Sequence, residues 1–187
     1  MNKELWPAGN LLFPAPAVMV SCGDQPENYN IITIAWAGNI CSEPAMTSIS
    51  IRPQRHSYGI IKKTKEFVIN LTTEKLAFAT DWCGVKSGRQ INKWERLKLT
   101  PVKAKFVAAP LIKESPASIE CKVVEIKKLG SHDIFLAKVL GIHADKEYLK
   151  RDGSFDLRQA GLICYSHGNY YALGKHLGNF GFSVKKK

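Results

Sequence analysis

No apolar run in the 187-residue sequence approaches the roughly 18–20 residues needed to span a bilayer. The opening segment, Met1-Asn-Lys-Glu-Leu-Trp-Pro, carries no apolar signal segment. The expectation is a cytoplasmic protein that does not enter the membrane. Cysteine is sparse and unpaired in pattern. Cys22, Cys41, Cys83, Cys121 and Cys164 are five in number, widely spaced, with no Cys-x-x-Cys pair. That argues against a disulfide framework or a zinc ribbon, and no metal site is expected. No Gly-x-Gly-x-x-Gly unit with an acidic ribose ligand is present, so a Rossmann nucleotide site is absent. Acidic residues are also short: 16 Asp and Glu stand against 27 Lys and Arg, a formal net charge of +11. Such a balance favours an anionic partner. The basic residues are nevertheless spread along the chain, and only Lys185-Lys-Lys forms a block. Nucleic-acid binders interleave basic residues with exposed aromatics in one region, and that pattern is missing.

What is present reads as one domain rich in short strands. A hydrophobic content of 45% and this length suit a single full core. Residues 17–22 read as a first strand, and 31–37 as a continuous buried strand rich in β-formers. Residues 45–52 alternate, 67–71 form a further strand, and 118–126 pair with 134–144 as a hairpin through Gly130 and Ser131. The alternation in 118–126 changes phase at Val123–Val124, which predicts a β-bulge. Residues 57–63 and 74–83 are expected to be helical, with a shorter turn at 93–97. Few helices and regularly spaced strands suggest a closed or partly closed barrel. No composition break marks a second domain.

The alternating strand carries the first chemical signal. Thr47, Ile49 and Ile51 face one way, and Ser48, Ser50 and Arg52 the other. It runs into a basic turn with Arg52, Arg55 and His56, where Ser57 can cap the following helix. A helix N-terminus offers unpaired N–H groups and partial positive charge. Arginines and a serine hydroxyl there suit a phosphate, although a basic surface turn with an ordinary cap has the same local sequence. Gly-Val-Lys-Ser-Gly at 84–88 lacks P-loop spacing and, alone, reads as a surface turn.

Five segments in order carry a resemblance across about residues 14–184. They are Asn30-Ile-Ile-Thr-Ile-Ala-Trp with Cys41-Ser-Glu-Pro, Ser48 to Gly59, Asp81-Trp-Cys-Gly-Val-Lys-Ser-Gly-Arg with Lys93-Trp, Leu129-Gly-Ser-His-Asp-Ile-Phe-Leu, and Tyr165-Ser-His-Gly-Asn-Tyr-Tyr-Ala-Leu-Gly-Lys. Together they resemble the flavin reductase-like family of FMN-binding split barrels, its flavoredoxin-type branch above all. The resemblance implies a mainly β fold, a six-stranded antiparallel Greek-key split β-barrel with a few short helices. It also implies one domain over 1–187, with 185–187 a basic tail, and a homodimer.

It further implies a cofactor, FMN, with NAD(P)H as the electron donor. Asn30, Thr33, Ala35 and Trp36 would lie along the flavin ring. Ser50, Arg52, Arg55, His56 and Ser57 would surround the ribityl chain and phosphate. Val85, Ser87 and Gly88 would close a loop over the cofactor, glycine permitting a nest of N–H groups, and Lys93 would add a positive charge. Tyr165, with His167 and Tyr170 in the same late motif, would sit near the cofactor or the dimer seam. In the family's reductases a histidine at the Gly-Ser-His-Asp motif lies beside the nicotinamide, which makes His132 the candidate for positioning a reductant. Its bland alternative is a turn histidine bonded to local backbone. Asn92 stands where relatives of this branch often carry an acid. Trp82 and Trp94 read as packing residues, Cys41 follows the flavin loop, and His143 and His176 have no context that singles them out.

Three functions follow from this. The first is an FMN oxidoreductase that takes a hydride from NAD(P)H and passes electrons to a flavin, ferric or protein acceptor. The second is an FMN-holding electron-transfer protein without nicotinamide turnover. The third, disfavoured by the scattered charge, is a basic barrel for single-stranded nucleic acid.

Overall fold

A computed structural model describes residues 2–184, so the Lys185-Lys-Lys tail lies outside the described residues. In chain order the elements are β1 (Ala15–Pro16), β2 (Val18–Cys22), β3 (Asn30–Ile34), β4 (Ala37–Cys41), β5 (Met46–Ile51), α1 (His56–Thr64) and β6 (Glu66–Leu71). There follow α2 (Ala77–Val85), α3 (Lys93–Leu97), β7 (Pro101–Val102), β8 (Leu111–Ile112), β9 (Ala117–Lys128), β10 (Asp133–Ala144), β11 (Ile163–Ser166) and β12 (Asn169–Ala172).

The main sheet is antiparallel with the order β3-β2-β6-β9-β10-β5-β4. It has seven strands, where six were expected. The extra strand arises because the run read as one strand over 31–37 is broken. β3 stops at Ile34, Ala35 and Trp36 bend, and β4 begins at Ala37. The Trp36 carbonyl accepts a hydrogen bond from Ser50 N–H at 2.9 Å, which pins the bend to β5. The two edges of the sheet, β3 and β4, are thus consecutive in the chain and separated by two residues. The sheet must curl to bring its edges that close, yet no ladder joins them, so the barrel is split rather than closed.

Alternation fills the interior. Val18, Val20, Ile32, Ile34, Ile49, Ile51, Phe67, Ile69, Phe135 and Ala137 point inward and are buried, and Ile61 of α1 plugs the same core. The bulge on β9 is present: Leu136 faces Glu125 and Ala137 faces Val123, leaving Val124 as the extra residue. Val124 is half exposed, so it does not lead the inward set after the flip; Ile126 resumes contact with the core. A second cluster lies outside the barrel, where Leu76, Ala79 and Cys83 pack with Met19, Ile31 and Trp94. It seats α2 and α3 against β2 and β3. The helix expected over 74–83 starts as a 3-10 turn at Glu74–Leu76 and continues as α2 to Val85.

One buried acid ties a loop to the barrel. Glu120 on β9 is fully buried and accepts N–H bonds from Lys105 (3.1 Å), Phe106 and Val107 (3.0 Å). It also meets Nε2 of His143 on β10. Burial works to raise its pKa, but the bonds from His143 and the three amides outweigh it, and the carboxyl lies below its ordinary value. A depressed acid contributes stability above its unfolded-state pKa and loses it as pH falls through the folded value. Glu120→Gln should therefore flatten the acid limb of stability, read as denaturant midpoints below pH 5. Glu120→Ala orphans the buried Val107 N–H, a cost of about 1–3 kcal/mol. An unchanged midpoint in Glu120→Ala would contradict this.

Candidate functional site

Two joined cavities open beside the split. The first, about 470 Å³, is lined from β3 and the bend by Thr33, Ala35 and Trp36, and from β5 by Ser50 and Arg52. α2 contributes Val85, and the β11–β12 hairpin contributes Tyr165 and Tyr170. The second, about 530 Å³, is lined by Asn30, His56, Ser57, Ser87, Gly88 and Lys93, among others. Ile32, Arg52 and Arg55 line both and make them one continuous trench. The residues expected along the ring, phosphate and loop, with His132, Tyr165 and Tyr170, line this trench, and His167 does not.

Local geometry explains the placement. Asn30 at the start of β3 donates Nδ2–H to Ser57 Oγ at 2.8 Å. A Cβ on Gly88 would fall 2.1 Å from Asn30 Oδ1, so the 86–88 segment approaches as it does because position 88 is glycine. Gly84 and Val85, read as loop, belong to the last turn of α2, and Gly84 packs close to Thr33. The Tyr58 hydroxyl donates to the buried Asp133 carboxylate at 2.7 Å and so fixes α1 against the start of β10. Asn92 caps α3, its side chain accepting from Trp94 N and Glu95 N.

One expectation needs correction. Ser57 does not cap α1. The cap position is Arg55 and no side chain caps the helix. Ser57 sits one residue inside α1, buried, with its hydroxyl taken by Asn30. The start of α1, through His56 and Ser57, lines the second cavity, and no side chain caps the helix there. Lys93 lines the same cavity from a buried position. It is 3% exposed, and its ammonium donates to the carbonyls of Ile31 (2.6 Å) and Cys83 (2.8 Å). Burial pulls its pKa below the ordinary lysine value.

The electrostatics are one-sided. The second cavity presents Arg52, Arg55, His56, Lys86 and Lys93 and no acid. Among the described residues, no carboxylate pairs with any of these basic side chains; burial, then Arg89 and Lys93, lowers the His56 pKa. A buried, unpaired ammonium in a cationic cleft is costly without an anion to balance it. The cavity is therefore built for a multiply charged anion. The first cavity differs. Its walls are aromatic and apolar, and Asp81 is its acid among the described residues. His132 packs against Trp36 with ring centroids 4.4 Å apart and the planes tilted by 44°, and its Nδ1 is 2.9 Å from Ser131 Oγ. Burial, followed by Arg52 and Arg55, lowers the His132 pKa, so the imidazole is neutral at pH 7.

An anion end joined to a flat aromatic slot suits a phosphorylated, ring-bearing cofactor. The chain matches the family model described as flavin reductase like domain over residues 10–174. It belongs to that family. An uncharacterized protein of Archaeoglobus fulgidus is 30% identical over 172 residues, spanning 91% of this chain and 94% of that one. The flavoredoxin of Desulfovibrio vulgaris (Miyazaki F) superposes with a TM-score of 0.89 at 29% identity, covering 98% of this chain and all of that one. An FMN-binding protein of Thermus thermophilus shares the fold at a TM-score of 0.80 and 20% identity, over 95% and 99% of the two chains. The split barrel is thus that of a flavin-binding, flavin reductase-like protein. No helix among the described residues is long and apolar enough to cross a membrane.

Sequence reasoning missed several lining residues of this flavin reductase-like site. Phe13 packs edge-on against Tyr165 (6.0 Å) and His167 (5.8 Å) and so belongs to the first cavity. The β11–β12 hairpin turns at His167 (φ 48°) and Gly168 (φ 90°), and this delivers Tyr165 and Tyr170. Asp81 faces Tyr170, whose phenol is pushed up to about 12 by burial first and then by Asp81. The Asp81-Trp-Cys motif was legible, but its partner is 89 residues away. Cys41, exposed on β4, lines neither cavity.

Proposed function

We propose that the chain binds FMN in the joined cavities and exchanges electrons through it, taking a hydride from NAD(P)H and passing electrons to a flavin, ferric or protein acceptor. The observation that carries this is the trench itself. A cleft with five basic side chains and no acid runs, through Arg52 and Arg55, into an aromatic slot. Bound there, the flavin would supply the hydride and electron chemistry. The chain's residues would do the rest. Arg52 and Arg55, at the start of α1, would hold the phosphate, and Asn30 would fix Ser57 at the wall. Lys93 would balance the charge from within. Trp36 and Tyr165 would flank the ring. The neutral His132, packed on Trp36, would pack against or bond to a nicotinamide. A carrier without nicotinamide turnover uses the same trench, and a steady-state NAD(P)H oxidation assay separates the two.

The bound flavin is expected to be FMN rather than FAD. The motivation is the compact phosphate cleft from Arg52 to Ser57. Heat release of the cofactor followed by chromatography checks this, and recovery of FAD would refute it.

A homodimer is also proposed. Leu5, Trp6, Leu11 and Leu12 near one end, and Leu177, Phe180, Phe182 and Val184 near the other, are largely exposed. Apolar side chains at that density favour burial against a second copy. Light scattering should give about twice the 20.8 kDa chain mass. A stable particle at the single-chain mass would exclude the dimer.

A further inference from the structure

Two adjacent residues of α3 serve two different cavities. Lys93 lines the phosphate cleft, and Trp94 lines a separate cavity of about 820 Å³ that shares no residue with the trench. Its walls come from α3 and the chain that follows it, from the β2–β3 connection and from residues 107–110. Tyr29 and Trp94 meet there with ring centroids 6.4 Å apart, and Leu99, Val102, Val107 and Pro110 extend the apolar surface. The size lies within the usual range for a small-ligand pocket, and mostly apolar walls with a few polar groups are the common composition of such pockets.

The polar groups of this wall are unevenly satisfied. Trp94 is 6% exposed, and its Nε1–H is buried without a hydrogen-bond partner. A buried donor without an acceptor is destabilising, and folded proteins keep few of them. The acids of the wall, Asp24 and Glu95, are engaged locally. Asp24 Oδ1 accepts from Asn28 Nδ2 at 2.5 Å, and Glu95 Oε1 accepts from Asn92 Nδ2 at 2.8 Å. The lysines are not engaged. Lys98 and Lys103 are exposed, and no carboxylate among the described residues pairs with either. Lys98 ends α3, its backbone N–H reaching the Trp94 carbonyl, so it stands one turn beyond the indole.

We propose that this cavity is a second ligand site, for an organic monocarboxylate with a bulky apolar body. The apolar part lies against Tyr29, Trp94 and Val102. The carboxylate accepts the Trp94 N–H and faces Lys98 and Lys103. The indole borders open space on the cavity side, so a small rotation of the ring carries its N–H to an oxygen there. An uncharged acceptor satisfies the indole but leaves both lysines unmatched, and a cation meets them as like charge. Asp24 and Glu95 on the same wall disfavour a dianion. The site stands apart from the flavin reading, because a ligand held here leaves the trench free.

1-Naphthaleneacetate and 1-naphthaleneacetamide serve as an anionic and an uncharged probe on one ring system. Titration calorimetry on the FMN-loaded protein should show the acid binding at least about fivefold more tightly than the amide, because charge-assisted hydrogen bonds are the stronger ones. The flavin should stay bound throughout. Trp94→Phe keeps an aromatic wall and removes the N–H, and should weaken the acid by at least about fivefold with FMN affinity unchanged. The double variant Lys98→Gln, Lys103→Gln should bring the acid down to the affinity of the amide. Equal affinity for the two probes in wild type, or wild-type affinity for the acid in Trp94→Phe, would overturn the proposal. So would release of FMN by the acid, which would place it in the trench, and so would no binding, which would leave the cavity to solvent. Should Trp94→Phe fail to fold, the double lysine variant decides. Failure of wild type to take up FMN would instead strike the flavin reading, and the lysine variant would still report on this cavity, since neither lysine lines the trench.

Discussion

Arg52→Ala is expected to lose about tenfold to hundredfold in FMN affinity, because charge-assisted hydrogen bonds contribute roughly 1.5–3 kcal/mol. Arg52 lines both cavities and has no acid partner among the described residues, so its guanidinium is not already committed. It follows the inward Ile51 of β5, which fixes the backbone from which the side chain leaves. Removing it also strips one cationic side chain from a cleft that holds no acid, so the loss should shrink as ionic strength rises. Ser57→Ala should fall in the same range by another route. Ser57 is buried and holds Asn30, so its loss frees the Asn30 amide at the cavity wall. Fluorescence titration of FMN measures both variants. Wild-type affinity in each would mean that the phosphate is held elsewhere.

The parts of the site legible in the sequence share a physical reason. The alternation of Thr47, Ile49 and Ile51 against Ser48, Ser50 and Arg52 is a local, period-two property, and the barrel keeps it: Ile49 and Ile51 are in the core while Ser50 and Arg52 line the trench. The phase flip at Val123–Val124 was likewise readable, because a bulge leaves its mark within a single strand. What was not readable depends on distant partners. The break at Ala35 and Trp36 is held by Ser50 N–H, and the β-branched run Ile31-Ile-Thr-Ile before it hides it. The fate of Lys93 is set by carbonyls 62 and 10 residues away, one on β3 and one on α2. His143 had no visible context because its partner, Glu120, lies across a hairpin whose register is shifted. The seventh strand and the trapped ammonium are both consequences of tertiary packing overriding a local pattern.

His132→Ala should slow reduction of the bound flavin by NAD(P)H on the order of 10²-fold, since misplacing a hydride donor by about 1 Å can cost that much. The imidazole packs, tilted, against Trp36 in the wall of the aromatic slot, with Ser131 Oγ within hydrogen-bond distance of its Nδ1. Burial together with Arg52 and Arg55 keeps it neutral at pH 7, so it can pack against or bond to a nicotinamide without adding a charge. Its contribution is therefore positional rather than acid–base, and a rise in rate constant tracking its titration is not expected. FMN affinity should be little changed, because His132 does not line the cationic cleft. Reduction by dithionite should also be unchanged, because dithionite needs no nicotinamide site. Stopped-flow bleaching of the flavin band in wild type and variant reads both rates. Wild type left unbleached by NADH and NADPH would establish the electron carrier in place of the reductase. Wild type and variant bleaching equally fast would keep the reductase and reduce His132 to a turn residue packed on Trp36.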